Sequence, residues 1–356
     1  MSVRPVDSMP LDMLSSATMA HPLAQMGLVP SPPHVAVVVP CYKVLDSILD
    51  VIAGIPSFVA AIHVIDDACP AGSGQHVLEA CDDPRVNVHF NEVNLGVGGA
   101  VMAGYRAALA AGADIVVKMD GDGQMDPAAL LRLVTPIVAG QADYAKGNRF
   151  YDLAQIGKMP RLRIVGNALL SFLTKISSGY WDLFDPTNGY TAIHAQVLAK
   201  LPLHKISRRY FFETDMLFRL NIMRAAVADV PMDAKYGAET SSLRISRIVF
   251  DFAAKHFRNT FKRIFYNYFL RDLSLASIEL LLGLAFVGIG TAMGLWFWVQ
   301  SASTGVFTSA GSVMLVALQI IVGLQLLLGF LAYDIASVPR RPQHPLLSIE
   351  SEWIDG

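Results

Sequence analysis

Asp120-Gly121-Asp122 follows the apolar run Ile115 to Lys118 and places two carboxylates close together on one loop. Such hard oxygen ligands suit Mg²⁺ or Mn²⁺ held jointly with the phosphate oxygens of a substrate. A diphosphate leaving group develops negative charge, so a cation there would act as a Lewis acid and align the reacting centre. By itself the tripeptide is an Asp-Gly turn. Gln124 and Asp126 extend it, however, and a second acidic pair, Asp66-Asp67, closes the apolar run Ala61 to Ile65. A carboxylate there can accept hydrogen bonds from a nucleobase or ribose. The glycines of Asn94 to Ala100 could let backbone amides approach an anion at a helix N-terminus. The spacing is not that of a dinucleotide fingerprint, and a structural turn is the other reading.

These residues need a frame. Short β-branched runs at Val35 to Val39, Ala61 to Ile65, Val86 to Phe90 and Ile115 to Lys118 alternate with small-residue or helical stretches. That is the pattern of an α/β domain with parallel strands. The alanine-rich segment Gly98 to Gly112 is expected to be a crossover helix. Asp126 followed by Pro127 reads as an N-cap with proline at the first helical position, starting a helix through Val138. Ligands of open parallel sheets bind beyond the carboxyl ends of the strands, where both acidic pairs fall.

With 53% hydrophobic and 16% charged residues, the 356-residue chain is too apolar for an ordinary soluble enzyme. A formal net charge of -2 gives no global reason to expect a nucleic-acid partner. Cys41, Cys69 and Cys81 have no metal-ligand spacing and fit a reducing compartment. Leu280 to Tyr333 carries no charged residue, enough for two membrane spans with a turn at Ser301 to Gly305 and with Trp296 and Trp298 near an interface. Lys255, Arg258, Lys262, Arg263 and Arg271 precede the spans and Arg340 and Arg341 follow them, which puts both flanks on the cytosolic side. The expected order is a mobile leader at 1–33 without a signal sequence, an α/β domain at 34–246, an amphipathic interfacial helix at 247–272 rich in phenylalanine and basic residues, a two-helix hairpin at 273–335 and a cytosolic tail at 336–356. Two spans bury little of their own surface, so self-association through them is expected.

The motifs VVVPCYK at 37 to 43, VIDDACPAGSG at 64 to 74, NLGVGGAVMAGYRAA at 94 to 108 and DGDGQMDP at 120 to 127 stand in the order found in family 2 glycosyltransferases of the GT-A fold, a Rossmann-like nucleotide-sugar domain. The sequence resembles that family from about Val35 to Arg244. With its two C-terminal helices it is similar to bacterial polyprenyl-phosphate glycosyltransferases, relatives of dolichyl-phosphate mannose synthase. The resemblance implies that Pro40, Tyr42, Asp66, Asp67 and Gly96 bind the donor nucleotide, and that Asp120, Asp122 and Gln124 form the diphosphate and metal site. Ala68 and Cys69 depart from the usual Gly and Ser. Gly147-Asn148-Arg149 matches a Gly-x-Arg element. Arg161 and Arg163, on a helix starting near Met159, fall where relatives hold the acceptor phosphate; a solvated helix face is the other reading. Asp185 to Tyr190 resembles an acceptor-site element. Glu213 and Asp215 lie in an acidic motif at a helix start, with Arg208 and Arg209 just upstream. Tyr236 to Arg244 resembles a loop that closes over the substrates, with Ser242 and Arg244 as phosphate contacts.

The implied activity is inverting transfer of a sugar from a nucleotide-sugar, a UDP-sugar favoured, to polyprenyl phosphate at the cytosolic face of the cell inner membrane, in envelope glycan synthesis. If the acceptor is instead a hydroxyl of a lipid-linked glycan or glycolipid, Asp185, Glu213 or Asp215 must act as base. A non-catalytic nucleotide-sugar-binding scaffold is a third reading. A channel is disfavoured because the spans carry no ionisable residue facing a pathway.

Overall fold

The computed structural model describes residues 32–151, 161–186, 188–232 and 245–347. The leader to residue 31, Met159, Ser242 and Arg244 lie outside the described residues. The four strands read from sequence are present as β1 (Val35–Cys41), β2 (Val59–Asp66), β3 (Val86–Phe90) and β4 (Ile115–Lys118), all parallel. Three more complete a seven-stranded mixed sheet: β5 (Tyr144–Asn148), β6 (Thr191–His194) and β7 (Val227–Pro231), in the order β3-β2-β1-β4-β6-β5-β7. Only β6 runs antiparallel to its neighbours, pairing with β4 and β5.

Alternate residues of β1 go to opposite faces, as the pleat requires. Val35, Val37 and Val39 pack with α1 (Ile48–Ala53), α2 (Ser73–Ala80) and α4 (Leu130–Val138). Ala36 and Val38 pack with α3 (Val97–Ala110), α6 (Ala195–Lys200) and α7 (Phe212–Ile222). Both faces are covered, so the strands read as continuous apolar runs. Asp126 accepts from the Ala128 amide, and Pro127 opens a single 3₁₀ turn before α4. The strand order reverses between β1 and β4, which opens a crevice at their carboxyl ends.

Beyond this domain α5 (Arg161–Ser178) packs against α8 (Ile245–Phe265), which runs into a π-helical turn at Tyr266–Arg271 and then into α9 (Leu275–Thr304) and α10 (Ala310–Ala336). The last two, of mean hydropathy 2.0 and 2.4, are long and apolar enough to cross a membrane. The turn expected at Ser301 to Gly305 falls later. Helix α9 continues through Thr304 until Gly305 takes a left-handed φ of 68°, and Ser309 caps α10.

The polarity of α8 is inverted relative to a soluble amphipathic helix. Its domain-facing residues His256, Asn259 and Arg263 are buried, while Phe250, Phe257, Phe261 and Phe265 are exposed. Arg263, read from sequence as one of the basic flanking residues, instead pairs with Asp334 at the end of α10, with Nη1–Oδ1 of 2.6 Å. Tyr268 Oη and Trp181 Nε1 donate to the same carboxylate at 2.6 and 2.8 Å, and Arg263 also donates to the Ile176 carbonyl. One buried carboxylate thus joins α10, α8, the π turn and Trp181 in the segment that follows α5. The segment after α10 also docks on the domain, with Asp143 accepting from the amides of Gln343 and His344.

Candidate active site

An open cleft of about 1250 Å³ lies at the β1/β4 crevice. Its polar end begins at Lys118, the last residue of β4, 2% exposed and bound to both oxygens of Asp120 at 2.7 and 2.8 Å. Asp122 accepts from the Gln124 amide at 3.0 Å, which folds the loop so that Asp120, Asp122, Gln124 and Asp126 all line the cleft. Ser47 fixes the same loop by donating to the Gly121 carbonyl.

Asp67 is buried, and its carboxylate takes Asn91 Nδ2 and the amides of Leu95 and Gly96 at 2.8 to 2.9 Å. It thereby ties the β3–α3 loop to the cleft, which Pro40, Tyr42, Asp67 and Gly96 all line. Gly96 has φ of +82°, and a Cβ there would stand 2.8 Å from the Arg208 carbonyl, so both backbone and space demand glycine. Gly98 and Gly99 pack on the Ser207–Arg208 backbone and on Leu95, the structural half of the alternative read from sequence.

Opposite this wall, Glu213 at the start of α7 reaches the cleft. Burial raises its carboxyl above the usual range, against the pull of Lys146 and Lys118. Lys146, buried in β5, has its ammonium pushed down by burial and donates to the Asn188 carbonyl. Gly189 covers this group, and a Cβ on it would come within 2.4 Å of Lys118 Nζ, 2.8 Å of Glu213 Oε1 and 3.2 Å of Asp120 Oδ2. Arg149 lines the cleft and is oriented from behind by Asp185, which it contacts through Nε at 2.8 Å. The far end is apolar, walled by Leu169, Leu170 and Leu173 of α5 and by Phe252, Ala253 and His256 of α8.

The Glycosyl transferase family 2 model matches residues 36–201. An undecaprenyl-phosphate mannosyltransferase of Micrococcus luteus is 32% identical over 203 residues, covering 56% of this chain and 82% of that protein. The chain is a family 2 glycosyltransferase. A polyprenol monophosphomannose synthase of Mycolicibacterium smegmatis is 29% identical over 201 residues, 55% of this chain and 75% of that one. Among solved structures, the glucosyl-3-phosphoglycerate synthase of Mycobacterium tuberculosis in complex with uridine diphosphate superposes with a TM-score of 0.48 at 19% identity, over 65% of this chain and 80% of that one. The α/β domain of the glycosyltransferase, with its mixed seven-stranded sheet, is of the GT-A type.

Three residues read from sequence as site residues do not line the cleft. Asp66 spends its carboxylate on the amides of Cys69 and Gly74, both at 2.7 Å, and shapes the start of α2. Asp215, 1% exposed, accepts from the Ser207 amide and Asn259 Nδ2. Asp185 is fully buried behind Arg149. Arg161 and Arg163 open α5, whose side chains are described from Val165 onward. Lys118, Lys146 and His256 were missed, although a lysine closing an otherwise apolar strand is a signal, because a buried ammonium needs a partner.

Behind Arg149, Asp229 of β7 accepts from Asn148 Nδ2 and the Phe184 amide, and burial lifts its carboxyl to about 6. An aspartate in the unfolded chain titrates near about 4, so the folded glycosyltransferase holds an extra proton between these values. The stability this group contributes is complete below about pH 4 and lost as pH rises through about 6. Asp229→Asn is expected to remove that component from the pH dependence of thermal unfolding. An identical slope in variant and wild type would count against the assignment.

Proposed function

We propose that this glycosyltransferase transfers a sugar from a nucleotide-sugar to a polyprenyl phosphate at the cytosolic face of the inner membrane, with inversion at the sugar carbon. The observation that carries the reading is the continuity of the cleft. It runs from the acidic loop after β4 to an apolar arm walled by α5 and by α8, the helix that leads to the apolar hairpin. A substrate with a charged head and a prenyl tail matches such a cleft. The names of the relatives, which specify undecaprenyl phosphate and a polyprenol monophosphate product, support the same acceptor class.

On this reading the exposed phenylalanines of α8 rest at the lipid interface, with Arg258, Lys262, Arg340 and Arg341, all exposed, on the cytosolic side. Pro40, Tyr42, Asp67 and Gly96 hold the nucleotide, a uridine nucleotide favoured. Asp120 and Asp122 would hold Mg²⁺ or Mn²⁺. The donor set fits, because these two carboxylates, two residues apart on one loop, both line the cleft and are hard oxygen donors of the kind such a cation shares with substrate phosphates and water. When bound, such a cation offsets the charge of the departing diphosphate. Lys118 restrains Asp120, and the guanidinium of Arg149, oriented by Asp185, would supply positive charge to the acceptor phosphate.

A phosphate monoester has a second pKa near about 6 and is largely ionised at neutral pH, so positioning and charge neutralisation carry most of the catalysis. The rival acceptor, a lipid-linked hydroxyl, needs a base, and Glu213 is the one of the three candidate carboxylates that lines the cleft. The test supplies purified enzyme with a panel of nucleotide-sugars and undecaprenyl phosphate, and examines the product by ¹H and ³¹P NMR. A sugar–phosphate linkage of inverted anomeric configuration is expected. Retained configuration would remove the direct-displacement mechanism, and glycosylation only of a hydroxyl lipid would move the assignment to the rival.

A further inference from the structure

Helix α10 carries two opposite ridges, and its partner α9 covers one of them. The covered ridge is Val316, Ile320, Gly323 and Leu327. A Cβ on Gly294 would stand 3.1 Å from Val316, one on Gly290 2.9 Å from Ile320 and one on Gly283 2.9 Å from Leu327, while a Cβ on Gly323 would meet Val287 at 2.8 Å. The other ridge, Met314, Leu318, Ile321, Gln325, Leu328 and Ala332, is exposed throughout. Its members lie two positions from those of the first, about 200° round the helix, so they point away from α9. Their steps alternate between four and three residues, the spacing of a helix-pairing seam, with one polar side chain in it.

That side chain is in the wrong solvent. Gln325 lies about 16 Å from the end of α10 at Ala336, near the middle of a hydrocarbon layer about 30 Å thick. Its neighbours one turn away, Ile321, Val322, Leu328 and Gly329, carry no polar side-chain group, and the backbone groups around it are spent on the helix. Among the described residues its carboxamide has no hydrogen-bond partner. Lipid tails offer none, so the exposed amide is costly until a second helix meets it. Gln319, the other glutamine of this helix, instead packs its Cβ toward Gly290 of α9.

We propose that the outer ridge of α10 is the contact between two copies of this chain, related by a two-fold axis along the membrane normal, with Gln325 hydrogen-bonded to Gln325 of the second copy. A carboxamide carries both N–H donors and a carbonyl acceptor, so it is its own complement. Two copies inserted in the same orientation hold Gln325 at the same depth, and a two-fold axis along the normal sets like against like. One polar residue in an otherwise apolar seam fixes register and the number of helices that meet. The inference goes beyond the reaction and is independent of the acceptor; it rests on α9 and α10 spanning the membrane.

The experiment reconstitutes purified full-length protein in liposomes and oxidises it with copper phenanthroline over a range of protein-to-lipid ratios. Ile321→Cys is expected to give a cross-linked dimer that is absent from wild type, whose own Cys41, Cys69 and Cys81 provide the background. Leu315→Cys is expected to give little, because Leu315, 49% exposed against 54% for Ile321, lies about 120° away round the helix. Adding Gln325→Leu to Ile321→Cys removes the amide and keeps the bulk, and is expected to raise the protein density needed for half-maximal cross-linking about threefold to tenfold. Gln325→Asn keeps a carboxamide and is expected to stay within about twofold of the parent. No dimer from Ile321→Cys, or as much from Leu315→Cys, overturns the interface, and an unmoved density in the Gln325→Leu protein overturns the paired amides. Cross-links in native membranes only to chains of another mass, with none in the liposomes, overturn it in favour of a different membrane protein. A wild type stripped from liposomes by alkaline carbonate overturns the membrane-spanning premise, an outcome separate from whether the enzyme uses prenyl phosphate.

Discussion

Asp334→Ala is expected to destabilise the protein by about 3–5 kcal/mol, the usual effect of removing one partner from a buried ion pair. Arg263 and Asp334 are 2% and 3% exposed, so the guanidinium left behind has little water to turn to. Tyr268 and Trp181 lose an acceptor at the same time, and neither ring can swing out without unpacking the contact of Tyr268 with Phe330, 5.0 Å between centroids, or of Trp181 with Phe172 at 6.4 Å. The loss is read from thermal or denaturant unfolding in a fixed detergent. Pairing Arg263→Met with Asp334→Leu is expected to recover much of the stability, since an apolar pair of similar volume avoids the stranded charge. A single variant as stable as wild type would show that the carboxylate is not the joint between hairpin and domain.

Gly189→Ala is expected to lower kcat by about 10²-fold, the scale of effect when catalytic groups move by about 1 Å. The added methyl would stand 2.4 Å from Lys118 Nζ and 2.8 Å from Glu213 Oε1, so one must yield. Lys118 cannot shift without releasing Asp120, and Glu213 cannot retreat into the core without burying its charge further. The backbone conformation at Gly189 does not itself demand glycine, because its φ is not among the positive values, so the cost falls on the site more than on the fold. Steady-state kinetics beside an unfolding curve separate the two. An alanine variant with wild-type kcat would mean that the spacing of Lys118, Glu213 and Asp120 is not part of the catalytic geometry.

Much of this frame was legible because its signals are local. Apolar runs mark β1 to β4, the Asp126-Pro127 cap marks the start of α4, and an uncharged stretch of membrane length marks α9 and α10. The short antiparallel β6 was not legible. Four residues, Thr191–His194, carry too little periodicity, and their pairing depends on the edge that β4 leaves open. Adjacent acidic residues also look alike in sequence, yet the pleat sends Asp67 to the cleft and Asp66 towards α2. On α7, Glu213 and Asp215 lie two positions apart and so point away from each other, one into the cleft and the other into contacts with Ser207 and Asn259. The Arg263–Asp334 pair was hidden by a separation of 71 residues, and Arg263 looked like one more basic flanking residue until its burial was seen.

On the proposed reading the loop after β4 serves transfer to a prenyl phosphate, and Asp122 is essential to it. The deciding experiment compares wild type with Asp122→Asn for sugar incorporation into undecaprenyl phosphate, with Mg²⁺ or Mn²⁺ present, at equal fold stability. The expected result is a wild-type sugar-phosphate lipid and a variant slower by at least about 10²-fold, as for loss of a group acting on developing charge. Equal incorporation by Asp122→Asn, or no incorporation by wild type into that lipid across the nucleotide-sugar panel, would contradict the account.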